Sequence, residues 1–293
     1  MIVRPGIHGD GRGAPRDGLP VRRRGRPRRG GSGGRALDAL HERRFAVSSS
    51  DASTVDGSAA PLRALILQHE EPTPPGLVTE WLDGHGASIE TLRIDIEDRE
   101  VDPAGYDLIV SLGSEFAAFD DTKPFVPREA TLMRRAVEAD VSVLGLCFGG
   151  QMLARVLGAE VHRSPDSEIG WLPVRSTDPE MVPEGPWFQW HFDTFALPPG
   201  ATLMAETDVG PQAFVMGRSL GLQFHPEVTT DIMTEWVREY RHELDADGVD
   251  PDALLEETKR RAVDSRRTSL RLLEWFLRDV ARLRPGRSRA ALG

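Results

Sequence analysis

The sequence predicts an α/β fold, in which a doubly wound and mostly parallel sheet lies between two layers of helices. Three observations carry this prediction. From Pro61 onwards, apolar strand-like runs alternate with helix-like segments, which is typical of parallel sheets covered on both faces. One apolar run ends at Cys147, between Gly145 and Gly149, where a helical pattern begins. After His225 the pattern becomes helical throughout, which predicts a C-terminal helical extension.

The predicted strands and helices follow one another in a regular order along the chain. Buried strands are predicted at residues 62–67, 88–94, 106–112 and 141–146. Helices are predicted at residues 76–84 and 125–139. Residues 159–224 contain several short strands separated by Pro and Gly, with no clear helix. In such sheets, ligands bind beyond the carboxyl ends of the strands, and Cys147 follows one of these ends.

Apolar residues recur at helical spacing over residues 230–246 and 251–283, with a break between Gly248 and Pro251. In the second stretch they can form one apolar stripe along a helix. This stripe predicts a helical cap on the main domain, and the alternative is a docking surface for a partner.

These patterns divide the chain into four segments. Residues 1–60 and 284–293 are predicted to be disordered tails. Residues 61–230 are predicted to form the α/β domain, and residues 231–283 a helical extension packed on it.

The first tail differs in composition from the rest of the chain. Residues 1–50 contain twelve arginines against four acidic residues, and Gly is abundant. Such a segment cannot bury enough apolar surface to offset the entropy lost on ordering. An unstructured tail, or upstream sequence translated from a wrongly assigned start, is the favoured interpretation, and a nucleic-acid-binding arm or a targeting peptide is the alternative.

Charge and composition exclude several classes of function for the remainder. The chain has a net charge of −10 and residues 1–50 carry +8, so residues 51–293 carry −18. An acidic domain is not expected to bind nucleic acid unaided. No apolar run approaches the roughly 20 residues that span a membrane. The single cysteine fits a reducing compartment, so a cytoplasmic protein is predicted.

Cys147 carries the strongest chemical signal. A nucleophile between a strand and a helix occupies a sharp turn, and Gly145 and Gly149 leave room for that turn, as in the G-x-S-x-G elbow. The N-terminus of the following helix favours the thiolate, which is the reactive form. Taken alone, a single cysteine is more often a buried structural residue.

A second segment, Gln223-Phe-His225-Pro-Glu227, supplies the partners that a thiol nucleophile needs. We predict a buried strand that ends at His225, because Pro226 cannot continue an interior ladder. A histidine base needs a third group to fix its tautomer, and Glu227, two residues on, projects to the same side of an extended chain.

Together, Gly145-Leu-Cys147-Phe-Gly149-Gly-Gln151 and Gln223-Phe-His225-Pro-Glu227 resemble the motifs of the class I glutamine amidotransferases. The resemblance covers roughly residues 61 to 230, and it is nearest to the glutaminase half of GMP synthase. It implies a flavodoxin-like α/β fold and a Cys-His-Glu triad that hydrolyses the side-chain amide of glutamine. By position, Cys147 would be the nucleophile, His225 the base and acid, and Glu227 the residue that orients His225.

The resemblance also implies an oxyanion hole and a substrate pocket. Phe148 N–H would be one oxyanion donor, and a turn at Gly113-Ser114 would supply the other. The family usually has a second glycine where this chain has Ser114. The sequence therefore leaves open whether the N–H of Gly113 or that of Ser114 is the second oxyanion donor. Gln151 matches a position near the amino-acid end of the substrate. His191 either lines the pocket or is a loop histidine bonded to Asp193.

Three functions follow from these motifs, and none requires a cofactor or a metal ion. The first is glutamine hydrolysis. Because the chain has neither a P-loop nor a Ser-Gly-Gly-x-Asp-Ser motif, either a separate synthetase accepts the ammonia or there is no acceptor. The second is hydrolysis of γ-glutamyl peptides such as glutathione-like conjugates. The third is a non-catalytic binding or regulatory role.

The sequence Glu168-Ile-Gly170-Trp171 resembles a turn of the same family. We assign this turn a structural role and no part in the chemistry.

Overall fold

An eight-stranded sheet organises the protein, with a separate two-stranded ribbon beside it. The computed structural model describes residues 61–283, so the two tails predicted at residues 1–60 and 284–293 lie outside the described part. In chain order the strands are β1 Arg63–Gln68, β2 Ser88–Arg93, β3 Leu108–Ser111, β4 Ser142–Leu146, β5 Val161–Leu172, β6 Arg175–Ser176, β7 Trp187–Phe195, β8 Thr202–Glu206, β9 Pro211–Met216 and β10 Ser219–Leu222.

The strand order in the large sheet is β2-β1-β3-β4-β10-β9-β8-β6. The five strands from β2 to β10 are parallel, and β9, β8 and β6 continue the sheet with antiparallel pairing. The parallel part therefore has the flavodoxin-like order, whose direction of winding reverses between β1 and β3. Strands β5 and β7 form the antiparallel ribbon.

In the described part of the chain, six α-helices surround these sheets: α1 Leu77–Gly84, α2 Phe125–Glu138, α3 Phe148–Val156, α4 Thr230–Glu239, α5 Arg241–Asp247 and α6 Pro251–Trp275. None of these helices in residues 61–283 has the length and apolar character needed to cross a membrane.

Both faces of the central parallel strands β1, β3 and β4 are apolar, as a sheet covered on two sides requires. Side chains alternate along β1, so Ala64 and Ile66 pack with α1 and the end of α6, while Leu65 and Leu67 pack with α2 and α3. This arrangement confirms the predicted doubly wound α/β class.

The C-terminal helices complete the fold. Leu272, Leu273 and Phe276, at the end of α6 and in the π-helical turn that follows it, are fully buried in the core on the α1 face. Near its start, α6 packs against the ribbon, where Trp171 Nε1 donates a hydrogen bond to Thr258 Oγ1 at 2.9 Å.

The structure differs from the predicted elements in three places. The segment Glu168–Trp171 belongs to strand β5, where it pairs with β7, so the turn expected there is wrong. The strand predicted to reach His225 ends at Leu222, because the chain leaves the sheet edge before the histidine. The helix predicted over residues 230–246 is divided into α4 and α5 at Tyr240.

Candidate active site

Cys147 lies at a sharp turn between β4 and α3. Its backbone has φ of 50° and ψ of −106°, and α3 begins at the next residue, Phe148. The turn needs glycines because other chain segments come close to it. A methyl group on Gly149 would lie 2.2 Å from the Ser111 carbonyl oxygen, and one on Gly150 would lie 2.2 Å from the Leu222 carbonyl oxygen. The strand-to-helix elbow expected from the sequence is therefore present.

The sulfur of Cys147 is buried but faces polar groups. Gln223 Nε2 lies 3.6 Å from Sγ as a hydrogen-bond donor, and Sγ lies 3.8 Å from the Trp190 carbonyl oxygen. The Cys147 N–H donates to the Leu222 carbonyl at 2.8 Å. These contacts fix the sulfur at the carboxyl edge of the sheet, beside strand β7.

His225 and Glu227 form a buried pair next to the sulfur. His225 Nδ1 and Glu227 Oε1 are 2.7 Å apart, and the two residues are 5% and 2% exposed. The backbone holds both residues in place: His225 N–H donates to the Phe188 carbonyl at 2.9 Å, and the Glu227 carbonyl accepts from Leu77 N–H, at the start of α1, at 3.0 Å.

The second ring nitrogen of His225 is free to act on a substrate. Among residues 61–283, Nε2 has no hydrogen-bond partner of normal geometry. A methyl group on Gly113 would lie 3.0 Å from His225 Cε1 and 3.8 Å from Cys147 Cβ, so the two side chains are neighbours around that glycine. Burial lowers the pKa of His225, but the interactions with Glu227 and with Cys147 outweigh it and raise the pKa to about 10.

The turn after β3 places Gly113 and Ser114 at the same edge. Ser114 does not have a positive φ, so the side chain that replaces the expected second glycine is tolerated. Its Oγ donates to Glu70 Oε1 at 2.6 Å, and the same oxygen accepts from Glu115 N–H at 3.2 Å. Burial raises the pKa of Glu70, although these hydrogen bonds oppose the change. Glu70 thus holds the turn in one conformation.

A buried pair that sequence reasoning missed lies beneath this turn. His69 Nε2 and Glu129 Oε2 are 2.7 Å apart, and both residues are 0% exposed. His69 Nδ1 contacts the Gly113 carbonyl at 3.1 Å, and Ser111 Oγ donates to Glu129 Oε1 at 2.6 Å. Burial lowers the pKa of His69, but the charge and hydrogen bond of Glu129 outweigh it, so the pKa is raised. A protonated His69 donates to Gly113.

An open cleft gives access to Cys147 and His225. Gln151 lines it with a buried side chain, whose Nε2 donates to the Asp193 carbonyl at 3.1 Å. His191 also lines the cleft, from strand β7, so it is not a loop residue. Its Nδ1 lies 3.0 Å from the Asp193 carbonyl, and its Nε2 lies 3.0 Å from the Glu168 carboxylate.

The structure therefore brings together every site residue predicted from the sequence: Cys147, His225, Glu227, Gly113, Ser114, Phe148, Gln151 and His191. Within residues 61–283, no three His, Cys, Asp or Glu side chains are grouped as a metal site would require.

Two of the missed residues had a detectable signal. His69 directly follows the buried strand β1, at the edge where ligands bind. Glu129 interrupts the apolar face of α2, between Val126 and Met133. Gln223 lies in the same motif as His225 and Glu227, but the motif alone does not indicate that its side chain contacts Cys147 Sγ.

Comparison with known proteins identifies relatives of the chain. A family model described as glutamine amidotransferase class-I matches residues 79–239. The glutamine amidotransferase-like protein YfeJ of Salmonella typhimurium is 29% identical over 203 residues, which cover 64% of this chain and 85% of that protein. A GMP synthase of Vibrio vulnificus, named as glutamine-hydrolysing, is 28% identical over 153 residues, which cover 49% of this chain but only 28% of the synthase.

A solved structure shares the fold. A glutamine amidotransferase from Thermotoga maritima superimposes with a TM-score of 0.69 and 33% sequence identity. The match covers 74% of this chain and 99% of that one. The predicted family resemblance and fold class are both confirmed.

Proposed function

The chain belongs to the class I glutamine amidotransferase family, and from this premise we propose that it hydrolyses the side-chain amide of glutamine through a thioester on Cys147. One observation carries the proposal: His225 neighbours Cys147 around Gly113, its buried Nε2 has no hydrogen-bond partner within residues 61–283, and its Nδ1 is held by a carboxylate at 2.7 Å. A sulfur, an imidazole and a carboxylate in this order form the arrangement of a thiol hydrolase.

The first chemical step is attack on the amide carbon. The Cys147 thiolate forms a C–S bond while the carbonyl oxygen becomes an oxyanion. Protonated His225 then donates the Nε2 proton to the amide nitrogen, and the C–N bond breaks to release ammonia. Glu227 stabilises the imidazolium and fixes the ring, so that Nε2 faces the reacting atoms.

The second step returns the enzyme to its starting state. Neutral His225 takes a proton from water, and the resulting hydroxide attacks the thioester carbon. Breaking the C–S bond restores the thiolate beside a protonated histidine and releases the γ-carboxylic acid, whose proton passes to the ammonia, so that glutamate and ammonium are the products and atoms and charge balance.

Two backbone N–H groups are positioned to bind the oxyanion. The first is that of Phe148, at the N-terminus of α3, where the helix dipole adds positive potential. For the second we assign Ser114 rather than Gly113. The Gly113 carbonyl is directed to the buried His69, and the N–H of the same trans peptide points the opposite way, towards the cleft.

Glutamate release by the purified protein tests the proposal. Wild type should release glutamate from glutamine, and Cys147→Ala should release none while its thermal melting is unchanged. Turnover that survives in Cys147→Ala would remove the nucleophile assignment. A folded wild type that is silent towards glutamine and towards γ-glutamyl dipeptides would instead favour a non-catalytic role.

We propose that a synthetase accepts the ammonia, since the matched region is shared with a GMP synthase named as glutamine-hydrolysing. A second candidate function is hydrolysis of a γ-glutamyl compound with a larger leaving amine. It uses the same catalytic groups and is favoured by the openness of the cleft that contains Cys147 and His225.

A further inference from the structure

The two ends of the cleft differ in charge. At one end, Arg163 and Asp193 form an ion pair at 3.6 Å, beside Gln151. At the other end are the carboxylates of Glu115 and Glu243 and the rings of Trp190 and Tyr240. Trp190 and Asp193 are three residues apart on β7, which corresponds to about 10 Å along an extended strand.

The ion-paired end suits the amino-acid part of a γ-glutamyl group. An arginine and an aspartate together complement an α-carboxylate and an α-ammonium. The sulfur lies beside the Trp190 carbonyl, so Arg163 and Asp193 are further along the strand from the reacting carbon. Asp193 can therefore bind the α-ammonium of the substrate, and neither Glu115 nor Glu243 is required for that contact.

The opposite end must receive the leaving amine. His225 Nε2 delivers the proton to the leaving nitrogen, and the edge of the Trp236 indole packs on the His225 ring with centroids 5.0 Å apart. Trp236 in turn contacts Trp190 at 6.0 Å between ring centroids. A leaving group that extends past His225 thus meets these two indoles.

The carboxylates at this end are held in place but not neutralised. Trp190 Nε1 donates to Glu243 Oε2 at 2.7 Å, which fixes that carboxylate beside the Tyr240 ring. Among residues 61–283, neither Glu115 nor Glu243 makes an ion pair. Lys123 Nζ lies over the ring of Phe116, another residue of the cleft, at 4.5 Å. Burial and then the charges of Glu70, Glu115, Glu239 and Glu243 raise the pKa of Tyr240.

Aromatic faces and unneutralised carboxylates in one wall are the groups that bind a ligand cation. We propose that this end of the cleft binds a positively charged amine, so that the preferred substrate is the γ-glutamyl amide of an aliphatic diamine. The inference rests on the proposed function and uses the same chemistry. Cys147 attacks the γ-carbon, His225 protonates the amide nitrogen, the diamine leaves and water then hydrolyses the thioester.

Three synthetic amides test this directly. They are the γ-glutamyl amides of 1,4-diaminobutane, which is cationic, of n-pentylamine, which is neutral and of similar length, and of 4-aminobutyrate, which is anionic. We expect kcat/KM for the cationic amide to exceed that for the neutral one by about tenfold or more, since a cation in such a wall gains about 1–2 kcal/mol. The anionic amide should be the poorest.

Charge-neutral variants identify which carboxylates cause the preference for the cationic amide over the neutral one. Glu243→Gln keeps an acceptor for the Trp190 indole but removes the charge, and it should reduce the cationic-to-neutral ratio several-fold, as should Glu115→Gln. Because each ratio is taken within one variant, a general loss of activity cancels. Glu235→Gln, which removes an exposed charge on α4 that is paired with Arg238, should leave the ratio unchanged.

Binding gives a second readout that does not need turnover. Calorimetry with Cys147→Ala should give about tenfold tighter binding of the cationic than of the neutral amide. Equal rates and equal affinities for the two amides, with glutamine still hydrolysed, would overturn this inference and leave the proposed function intact. No hydrolysis of any amide, including glutamine, by a folded wild type would overturn both.

Discussion

Cys147 has a backbone conformation that costs free energy. A positive φ in a non-glycine residue is strained by about 1–3 kcal/mol and persists only where the surroundings enforce it. Here the Leu222 carbonyl holds its N–H on one side and α3 begins on the other. The benefit is that the sulfur is presented at the cleft together with the Phe148 N–H.

His225 gives the protein a pH-dependent stability that a substitution can isolate. Its pKa is about 10 in the folded state and about 6.5 when unfolded, so proton binding stabilises the fold fully below pH 6.5. That contribution is lost as pH rises towards 10. Glu227→Gln removes the main group that raises the pKa. The unfolding free energy of each protein is measured by denaturation at pH 6 and at pH 9.5. Its decrease between these two pH values should be larger in wild type than in Glu227→Gln, by an amount on the order of 1–3 kcal/mol. The same loss in both proteins would contradict this account of the pair.

The individual residues of the elbow and of the His-Pro-Glu segment could be identified from sequence, because each lies in a contiguous motif with a geometric requirement. Trp236, Tyr240 and Glu243 could not. Their position at the cleft depends on how α4 and α5 pack against the ribbon, and no local pattern encodes a contact between residues so distant in sequence.

At the scale of elements, the elbow depends on close packing of α3 against two strands. Gly149→Ala places a methyl group 2.2 Å from the Ser111 carbonyl, which is backbone and cannot move aside. We expect a loss of about 1–3 kcal/mol in unfolding free energy, measured by urea titration.

Gly84→Ala is the matched control for this substitution. Gly84 lies at the end of α1, has no neighbour within 4 Å of the added methyl and does not have a positive φ. The control should be neutral or stabilising by up to about 1 kcal/mol. Equal effects of the two substitutions would show that close packing at the elbow is not limiting.

The His69–Glu129 pair joins β1 and α2 to the turn after β3, and a double substitution separates its two roles. His69→Leu leaves Glu129 buried without its partner and should cost about 3–5 kcal/mol of unfolding free energy. Adding Glu129→Met removes the buried charge and should restore most of the stability. Glutamine turnover should remain low, because the Gly113 carbonyl still has no donor. Recovery of turnover together with stability would show that the pair is only structural.

The strands and helices of the α/β core were predictable because each has a single regular pattern of apolar residues. Strands β1, β3 and β4 are short continuous apolar runs, and helices α1 and α2 have apolar residues at helical spacing. The ribbon was harder to predict. Strand β5 is half-exposed and its register shifts between Arg163 and Glu168, so it has no regular alternation. The turn expected at Glu168–Trp171 rests on a family resemblance alone, and that resemblance does not reveal the pairing with β7.

At the scale of the whole molecule, the cleft lies where three parts of the chain meet. The carboxyl edge of the sheet supplies the sulfur and the oxyanion turn, the ribbon supplies Trp190 and Asp193, and the C-terminal helices supply Trp236 and Glu243. The sheet edge is set by the fold class and could be predicted. The positions of the ribbon and of the C-terminal helices depend on tertiary packing that the fold class does not determine.

Composition predicts that the first tail adds nothing to the folded domain. Deleting residues 1–55 should change neither the melting temperature nor glutamine turnover. Deleting residues 251–293 is the contrasting control, because it removes Leu272, Leu273 and Phe276 from the core, and this truncated chain should not fold. A marked fall in melting temperature after the first deletion would refute the composition argument.

The relay of Cys147, His225 and Glu227 is tested most directly by trapping the covalent intermediate. Wild type and Glu227→Gln are mixed with isotope-labelled glutamine, quenched in acid and digested, and the peptides are weighed by mass spectrometry. We predict a γ-glutamyl adduct on Cys147 in wild type that forms far more slowly in Glu227→Gln. Glutamate release with no adduct on Cys147, or adduct formation at the same rate in both proteins, would contradict the relay.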